Sequence, residues 1–566
     1  MDVATRSAER LIWDVEMFRS CEQCGLCSSA CPLTGMDGFN IRRILKYVEL
    51  GLVAEIADTK LPWTCTTCAR CEGVCPNGIA VLEIIRPLRA IGPGEFVPES
   101  APCAAACPAG IDVPGYVRLI AAGDPSAALS VIAESVPFPG VLGRVCTHPC
   151  ESECRRGEVN QAVSICALKR FAADQGGEGP PIHRPGADTG RSVAIVGSGP
   201  AGLTAAWFLR RKGHKVTVFE AREKPGGMLR YGIPAYRLPD DVLEREINGV
   251  VALGVELKTG MRLGENIDLE RLKKDYDAVL VAVGLWLSRR LPLEGAELDG
   301  VSWGLEFLIS AREGGAPETG QNLVVVGGGN VAVDVALTAL RLGARRVTMA
   351  CLESLNEMPA SPREIEIAVE EGVALLPSWG PRRICGDNGR VSSVELVRCT
   401  SVFDESGSFC PMFGEETREI PVDQVILAVG QQGDMSFAAN DRDLVTAGGL
   451  IAADKMSFKS GLDGVFAAGD AVSGPGTVVE AVSAGKRAGA EIDRFLGGDG
   501  ILEPSVMREP PGLSYDGKRE EGFADRPREQ QPACPLEERR KTFVEVDGCF
   551  SAEQAVKEAS RCLQCD

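Results

Sequence analysis

The chain has 566 residues, 45% hydrophobic and 25% charged, with a formal net charge of −19. That is ordinary globular composition, long enough at roughly 150 residues per domain for about four domains. So acidic a chain excludes nucleic acid and anionic lipid as main partners, because both are bound by clustered Lys and Arg. The one long apolar stretch, Val193 to Leu209, is interrupted by Gly197, Gly199, Pro200 and Gly202. It does not read as a membrane span, and the amino terminus lacks the basic-then-apolar plan of a signal peptide. A cytoplasmic protein is expected.

Twenty-two cysteines do not make a disulfide framework in a reducing compartment, and three histidines are too few for His-rich zinc sites or Ser/His/Asp chemistry. Thiolate-bound iron fits better. The runs Cys21-x2-Cys24-x2-Cys27-x3-Cys31-Pro32 and Cys65-x2-Cys68-x2-Cys71-x3-Cys75-Pro76 have the spacing that holds two [4Fe–4S] cubanes. Three cysteines wrap one face of a cube and the fourth reaches the other cluster. Cys21, Cys24, Cys27 and Cys75 are thereby assigned to one cluster, and Cys65, Cys68, Cys71 and Cys31 to the next. The segment FNIRRILKYVELGLVAEI between the runs reads as two helices around Gly51. The wording CEQCGLCSSACP, RRILKYVELGL and WTCTTCARCEGVCP resembles the C subunit of heterodisulfide reductase over residues 15 to 90. That family carries electrons between a flavoprotein and a catalytic partner. Because this chain has no Cys-Cys pair, the resemblance implies delivery to a site on another subunit.

From Val193 to about Leu496 short Val/Ile/Ala-rich runs alternate with helical stretches, the pattern of parallel sheets covered by helices. Gly197-x-Gly199-x-x-Gly202 follows SVAIV and opens a helix, and Glu220 ends the next strand. In such a turn Gly197 bends the chain, Gly199 lets the backbone approach a pyrophosphate, Gly202 packs closely and Glu220 can bind ribose hydroxyls. A second fingerprint, Gly327-Gly328-Gly329-Asn330-Val331-Ala332, follows LVVV and also opens a helix. Two such sites in tandem suggest one flavin and one nicotinamide.

With KPGGMLRYGIPAYRLP and GVFAAGDAVSGPGTVVEAVSAGKRAG, residues 100 to 500 resemble the small subunit of glutamate synthase and the related transhydrogenase and dihydropyrimidine dehydrogenase flavoproteins. The resemblance implies an α/β chain with two Rossmann-like domains, an FAD domain interrupted by an NAD domain. Two small, mainly helical iron–sulfur domains precede them. The expected boundaries are 1–92, 93–190, 191–320 with 420–500 for FAD, 321–419 for NAD(P), and a tail 501–566 supplying cluster ligands. It further implies that Asp470 and the backbone at Thr477 and Val478 contact FAD, that Gly227 and Met228 lie beside the flavin, and that Gly284 and Gly430 border the domain junction. Members that use NADP carry a basic pair after the strand following the second fingerprint. Here VTMACLES places Glu353 near that position, so NADH is expected over NADPH; the alternative is a solvated Glu353 with Arg345 and Arg346 turned toward a phosphate.

The same resemblance implies two further clusters around Cys103-x3-Cys107-Pro108 and GRVCTHPCESECRRG. Relatives place an R-C-L-x-C run upstream; here only the carboxyl-terminal EASRCLQCD can supply it. Cys562, Cys565, Cys103 and Cys154 are thus expected to share one cluster. Cys107, Cys146 and Cys150 share the other, with Cys166 replacing a family Glu or Gln whose position is Lys169. The function implied is an NAD(P)H:acceptor oxidoreductase with FAD and four [4Fe–4S] clusters. It would feed a ferredoxin or heterodisulfide-reductase-like partner in a hetero-oligomeric complex. Rival readings are the small subunit of an NADPH glutamate synthase and an electron-wiring subunit without turnover.

Overall fold

The computed structural model describes residues 15–91, 101–177, 184–315, 317, 319–438, 444–446, 448–502 and 519–565. Residues 92–100 and 178–183, inside the two expected linkers, and the first part of the tail lie outside them. The amino-terminal unit is helical. FNIRRILKYVELGLVAEI forms helices Ile41–Glu49 and Val53–Ala57, broken at Gly51 with φ 77°. Its own core gathers Phe39, Ile41, Ile44, Leu45, Ile56 and Ile85 around the cysteine loops.

The next helices, Val113–Ala121, Pro125–Ser135, Pro139–Val145 and Ile165–Gln175, bury Tyr116, Leu142 and Phe171 in one core continuous with Trp207, Leu243 and Phe466. The second iron–sulfur unit and the first dinucleotide domain are therefore welded by a shared core. Among the described residues no single helix is long and apolar enough to cross a membrane.

The first sheet runs Val465–Ala467, Ala278–Val281, Ser192–Val196, Lys215–Phe219, Glu256–Lys258, all parallel. The second runs Val301–Trp303, Gln424–Leu427, Asn322–Val326, Arg346–Cys351, Ala374–Pro377, also parallel. Two corrections to the expected seam follow. Strands Val301–Trp303 and Gln424–Leu427, assigned above to the FAD domain, belong to the second sheet, because each is an edge or inner partner in its ladder. The domains join through an antiparallel ribbon, Leu287–Ser288 with Gln431–Gln432. The second domain also carries an antiparallel sheet, Trp379–Asp387, Arg390–Phe403 and Phe409–Pro421, whose first turn is Asn388-Gly389, both left-handed.

Candidate functional site

The chain leaves strand Ser192–Val196 through Gly197, φ 107°, into helix Pro200–Arg211. A Cβ on Gly197 would lie 2.3 Å from the Ala282 carbonyl oxygen, and one on Gly202 would lie 2.0 Å from that of Gly197. Packing requires both glycines. A Cβ on Gly199 would meet only Gly227, at 4.0 Å, so this turn is open to a ligand. A cavity of about 250 Å³ opens there, walled by Gly197, Gly199, Glu220, Gly227, Met228, Gly284, Asp470, Thr477 and Val478. Gly202 lies beneath the turn.

Glu220 is buried, its Oε2 accepting from the Ser198 N–H (3.0 Å) and hydroxyl (2.5 Å) and its Oε1 from the Arg222 N–H (2.8 Å). The carboxylate thus braces the fingerprint turn from the position where a ribose would reach it. Burial raises Asp470 to about 6 despite a hydrogen bond from the Gly476 N–H. Thr477 caps helix Val478–Phe495 in a reciprocal box with Glu480, and the positive helix end borders the cavity. Arg222 and Trp286, not singled out from the sequence, also wall it; the guanidinium stands 5.1 Å from the Trp286 and Tyr231 rings. Arg222 could have been found two residues past Glu220, whereas Trp286 has no signal beyond following Gly284.

The second fingerprint repeats the turn. Gly327, φ 142°, would clash with the Ala428 carbonyl oxygen at 2.3 Å if it bore a Cβ, whereas Gly329 has nothing within 4 Å. Ala332 and Val331 lie in the following helix Asn330–Arg341, and the Asn330 side chain accepts from the Ser361 N–H at 2.9 Å. The Gly197 N–H bonds the Phe219 carbonyl and the Gly327 N–H bonds that of Ala350, each at 2.8 Å. In this register Cys351 occupies the place of Glu220, and Glu353 that of Arg222. Glu353 nevertheless folds back on the fingerprint, its Oε2 2.8 Å from where a Gly328 Cβ would lie. Gly430 lies outside the cavity wall, beside the ribbon, its carbonyl accepting from the Arg289 N–H at 2.9 Å. Cys351 and Cys399 are buried, Cys385 is half-buried and Cys410 exposed; none is disulfide-bonded.

The structure brings the sixteen singled-out cysteines together in four sets. Cys21, Cys24, Cys27 and Cys75 line one pocket, and Cys103, Cys154, Cys562 and Cys565 line another. Burial raises Cys65 to about 11 and Cys71 beyond, with repulsion from Cys31 and Cys68 acting on both. Burial likewise raises Cys150 to about 12 and Cys166 further, with Cys146 repelling both and Cys107 repelling Cys150. Thiols so placed ionise poorly by themselves, and a bound cation must draw the proton off.

Each group repeats one local device. Two residues after the leading cysteines Cys21, Cys65, Cys146 and Cys562 stands a non-glycine residue in left-handed backbone: Gln23 (φ 57°), Thr67 (55°), His148 (44°) and Gln564 (54°). The N–H groups of Thr67, His148 and Gln564 point at their leading sulfurs at 3.4, 3.3 and 3.4 Å, and the Gln23 side chain donates to Cys21 at 3.5 Å. Such strain persists where function requires it. Among the described residues no three His, Cys, Asp or Glu side chains could share a single metal ion. A zinc ion would need sulfurs converging to about 2.3 Å; thiols spread around pockets and met by N–H donors fit an iron–sulfur cube instead.

The tail is held by two buried arginines. Arg561 donates to the carbonyls of Arg526, Ala162 and Gln161 and to Glu558, while Arg156 donates to those of Arg561, Phe523 and Ala524. The tail also meets the amino-terminal unit. The Thr67 hydroxyl donates to the Leu563 carbonyl at 3.2 Å, and Arg519 donates to both Thr67 and Leu563 carbonyls.

Comparison with known proteins gives this arrangement its place. The model of the pyridine nucleotide-disulphide oxidoreductases matches residues 191–485. This chain belongs to that family. The pyridine nucleotide oxidoreductase also matches a dihydropyrimidine dehydrogenase 4Fe–4S domain over residues 98–179 and a 4Fe–4S dicluster domain over 17–79. It is 40% identical to the NADP(+)-dependent formate dehydrogenase subunit beta of Moorella thermoacetica, over 82% of this chain and 70% of that one. It is 36% identical to the NADPH-Fe(3+) oxidoreductase subunit beta of Geobacter sulfurreducens, over 91% and 84%. It is also 36% identical to the NAD-dependent dihydropyrimidine dehydrogenase subunit PreT of Escherichia coli O157:H7, over 71% and 92%. The oxidoreductase is an iron–sulfur flavoprotein that depends on FAD, a nicotinamide dinucleotide and 4Fe–4S clusters.

Proposed function

We propose that this chain oxidises NADH at the second fingerprint, holds FAD in the 250 Å³ cavity, and serves as the electron-delivering subunit of a complex through four [4Fe–4S] clusters. When bound, the flavin takes an electron pair as hydride and releases electrons singly. Gly199 and the capped end of helix Val478–Phe495 would seat its pyrophosphate and ring edge, and Glu220 its ribose. Glu353 would accept from ribose hydroxyls and repel a 2′-phosphate, which favours NADH. The relatives' names divide between NADP and NAD, so this preference rests on Glu353 alone.

The observation that carries the reading is the linear order of the four thiol groups. Helix Val478–Phe495 starts at the flavin cavity, and its Lys486 donates to the Ala109 carbonyl at 3.1 Å, beside Cys107. Cys107 and Cys150 of the first group are joined to Cys103 and Cys154 of the second across the short helices Pro102–Ala105 and Pro149–Ser152. Leu563 meets Thr67, between Cys65 and Cys68 of the third. Cys31 and Cys71 of that group are joined to Cys27 and Cys75 of the last across Leu26–Ala30 and Arg70–Gly73. Four residues of helix advance about 6 Å, so neighbouring groups are close. The last group includes the exposed Cys24, and there a partner, a ferredoxin or a heterodisulfide-reductase-like subunit, would meet the chain. Two of the relatives are named as beta subunits, which supports a complex.

The test is NADH-dependent viologen reduction by the purified, flavin-loaded chain, together with its iron content. About sixteen irons per chain and turnover are expected. Removing residues 560–566 should lower the iron by about one cubane and stop flow from the flavin. Absent turnover, or iron unchanged by the truncation, would overturn the reading.

A further inference from the structure

Lys169 is 4% exposed on helix Ile165–Gln175, one turn from Cys166. Among the described residues it has no carboxylate partner in any ion pair, although its neighbour Arg170 is bound to Asp174 and Glu545. An ammonium buried without a counter-ion is strongly unfavourable. The groups around Lys169 that can offer negative charge are sulfurs, those of Cys146, Cys166, Cys150 and Cys107. The nearby carboxylate, Glu151, is already engaged, accepting from the Cys166 N–H and from Arg528. The Tyr116 hydroxyl, also buried beside these thiols, donates to the Ile165 carbonyl and leaves the ammonium alone.

A cubane held by four thiolates is a net anion in either oxidation state, more so when reduced. A fixed ammonium against it stabilises the reduced form more than the oxidised one. We propose that Lys169 is a resident counter-charge of the Cys107, Cys146, Cys150 and Cys166 group and raises the potential of the cluster there, the one beside the flavin helix. The proposal rests on that group being cluster ligands, and assigns Lys169 a tuning role in place of the ligand role that relatives give this position.

The experiment is an EPR-monitored redox titration of the full chain with its iron content measured in parallel, for Lys169→Met, Lys169→Arg and Cys150→Ala. Lys169→Met should keep its iron and move one of the cluster midpoints to lower potential while the others stay. Lys169→Arg should stay near the unsubstituted chain. If Lys169→Met loses one cluster's iron and Lys169→Arg does not, the requirement for charge is supported directly. Unmoved midpoints in Lys169→Met, or equal iron loss in both Lys169 variants, would overturn it, because volume rather than charge would then explain the residue. Cys150→Ala separates the two layers: if it keeps all its iron, the ligand reading fails and the tuning role with it.

Discussion

Arg156 donates through Nη1 to the carbonyl of Arg561 at 3.2 Å, and the two side chains are 0% and 1% exposed. Cys562 follows Arg561 directly, so the lock that satisfies these guanidiniums also fixes the thiols at the chain's end. Replacing Arg561 by Ala strands several buried carbonyls and Glu558, a loss of about 3–5 kcal/mol for a broken buried ion pair. Arg561→Ala is expected to release the tail, lowering iron by about one cubane while flavin stays bound. Iron and flavin assays on the same sample check this.

Glu246 accepts from the N–H groups of Gly140 and Val141 at 2.5 and 3.0 Å, welding the first dinucleotide domain to helix Pro139–Val145. Burial outweighs those bonds and raises its carboxyl from 4.5 to about 7. Between those values the unfolded chain binds fewer protons than the folded one. Stability from this group therefore falls as pH rises toward 7, by at most about 1.4 kcal/mol per pH unit, and is flat above. Glu246→Gln removes that slope. The Tm of the unsubstituted chain minus that of Glu246→Gln should fall from pH 5.5 to pH 7.5, roughly the window of this titration; a constant difference would show that Glu246 does not titrate there.

Gly199 and Gly202 separate ligand space from packing space. Gly199→Ala projects into the open turn, so the chain should fold and hold its iron while binding FAD more weakly. Gly202→Ala drives a Cβ to 2.0 Å from backbone, and the whole domain should lose stability along with its flavin. Thermal melts beside flavin titrations distinguish the two.

Glu353→Arg reverses the charge facing the second fingerprint. The ratio of kcat/KM for NADH over NADPH should fall by about tenfold or more, corresponding to about 1.4 kcal/mol. An unchanged ratio would place the choice of nucleotide elsewhere.

Spacing carried what local chemistry dictates. The Cys-x2-Cys runs, the glycine turns and the apolar strands could be read off because each is a short-range device with few alternatives. The seam between the domains could not: Val301–Trp303 and Gln424–Leu427 look like any apolar strand, and which sheet claims them is decided by pairing across long separations. The antiparallel insert did have a signal in Asn388-Gly389, an unused hairpin pair. Arg156 and Arg561 had none, since an arginine earmarked for the interior is indistinguishable in sequence from one in solvent. The tail's meeting with Cys103 and Cys154 was legible only through a resemblance, whereas the contact of Leu563 with Thr67 was not legible at all.

On the proposed ligand set, one cluster draws thiols from both sides of the two dinucleotide folds, Cys103 and Cys154 before them, Cys562 and Cys565 after. At roughly 5–20 residues per second the early pair waits on the order of tens of seconds during synthesis for its partners. That cluster can close only once Cys562 and Cys565 have left the ribosome, after both dinucleotide folds. A prematurely terminated product would retain both dinucleotide folds yet lack the second of the four thiol groups counted from the flavin. On this ligand set it would be broken between flavin and exit, so the wiring forms only after the folds that it connects.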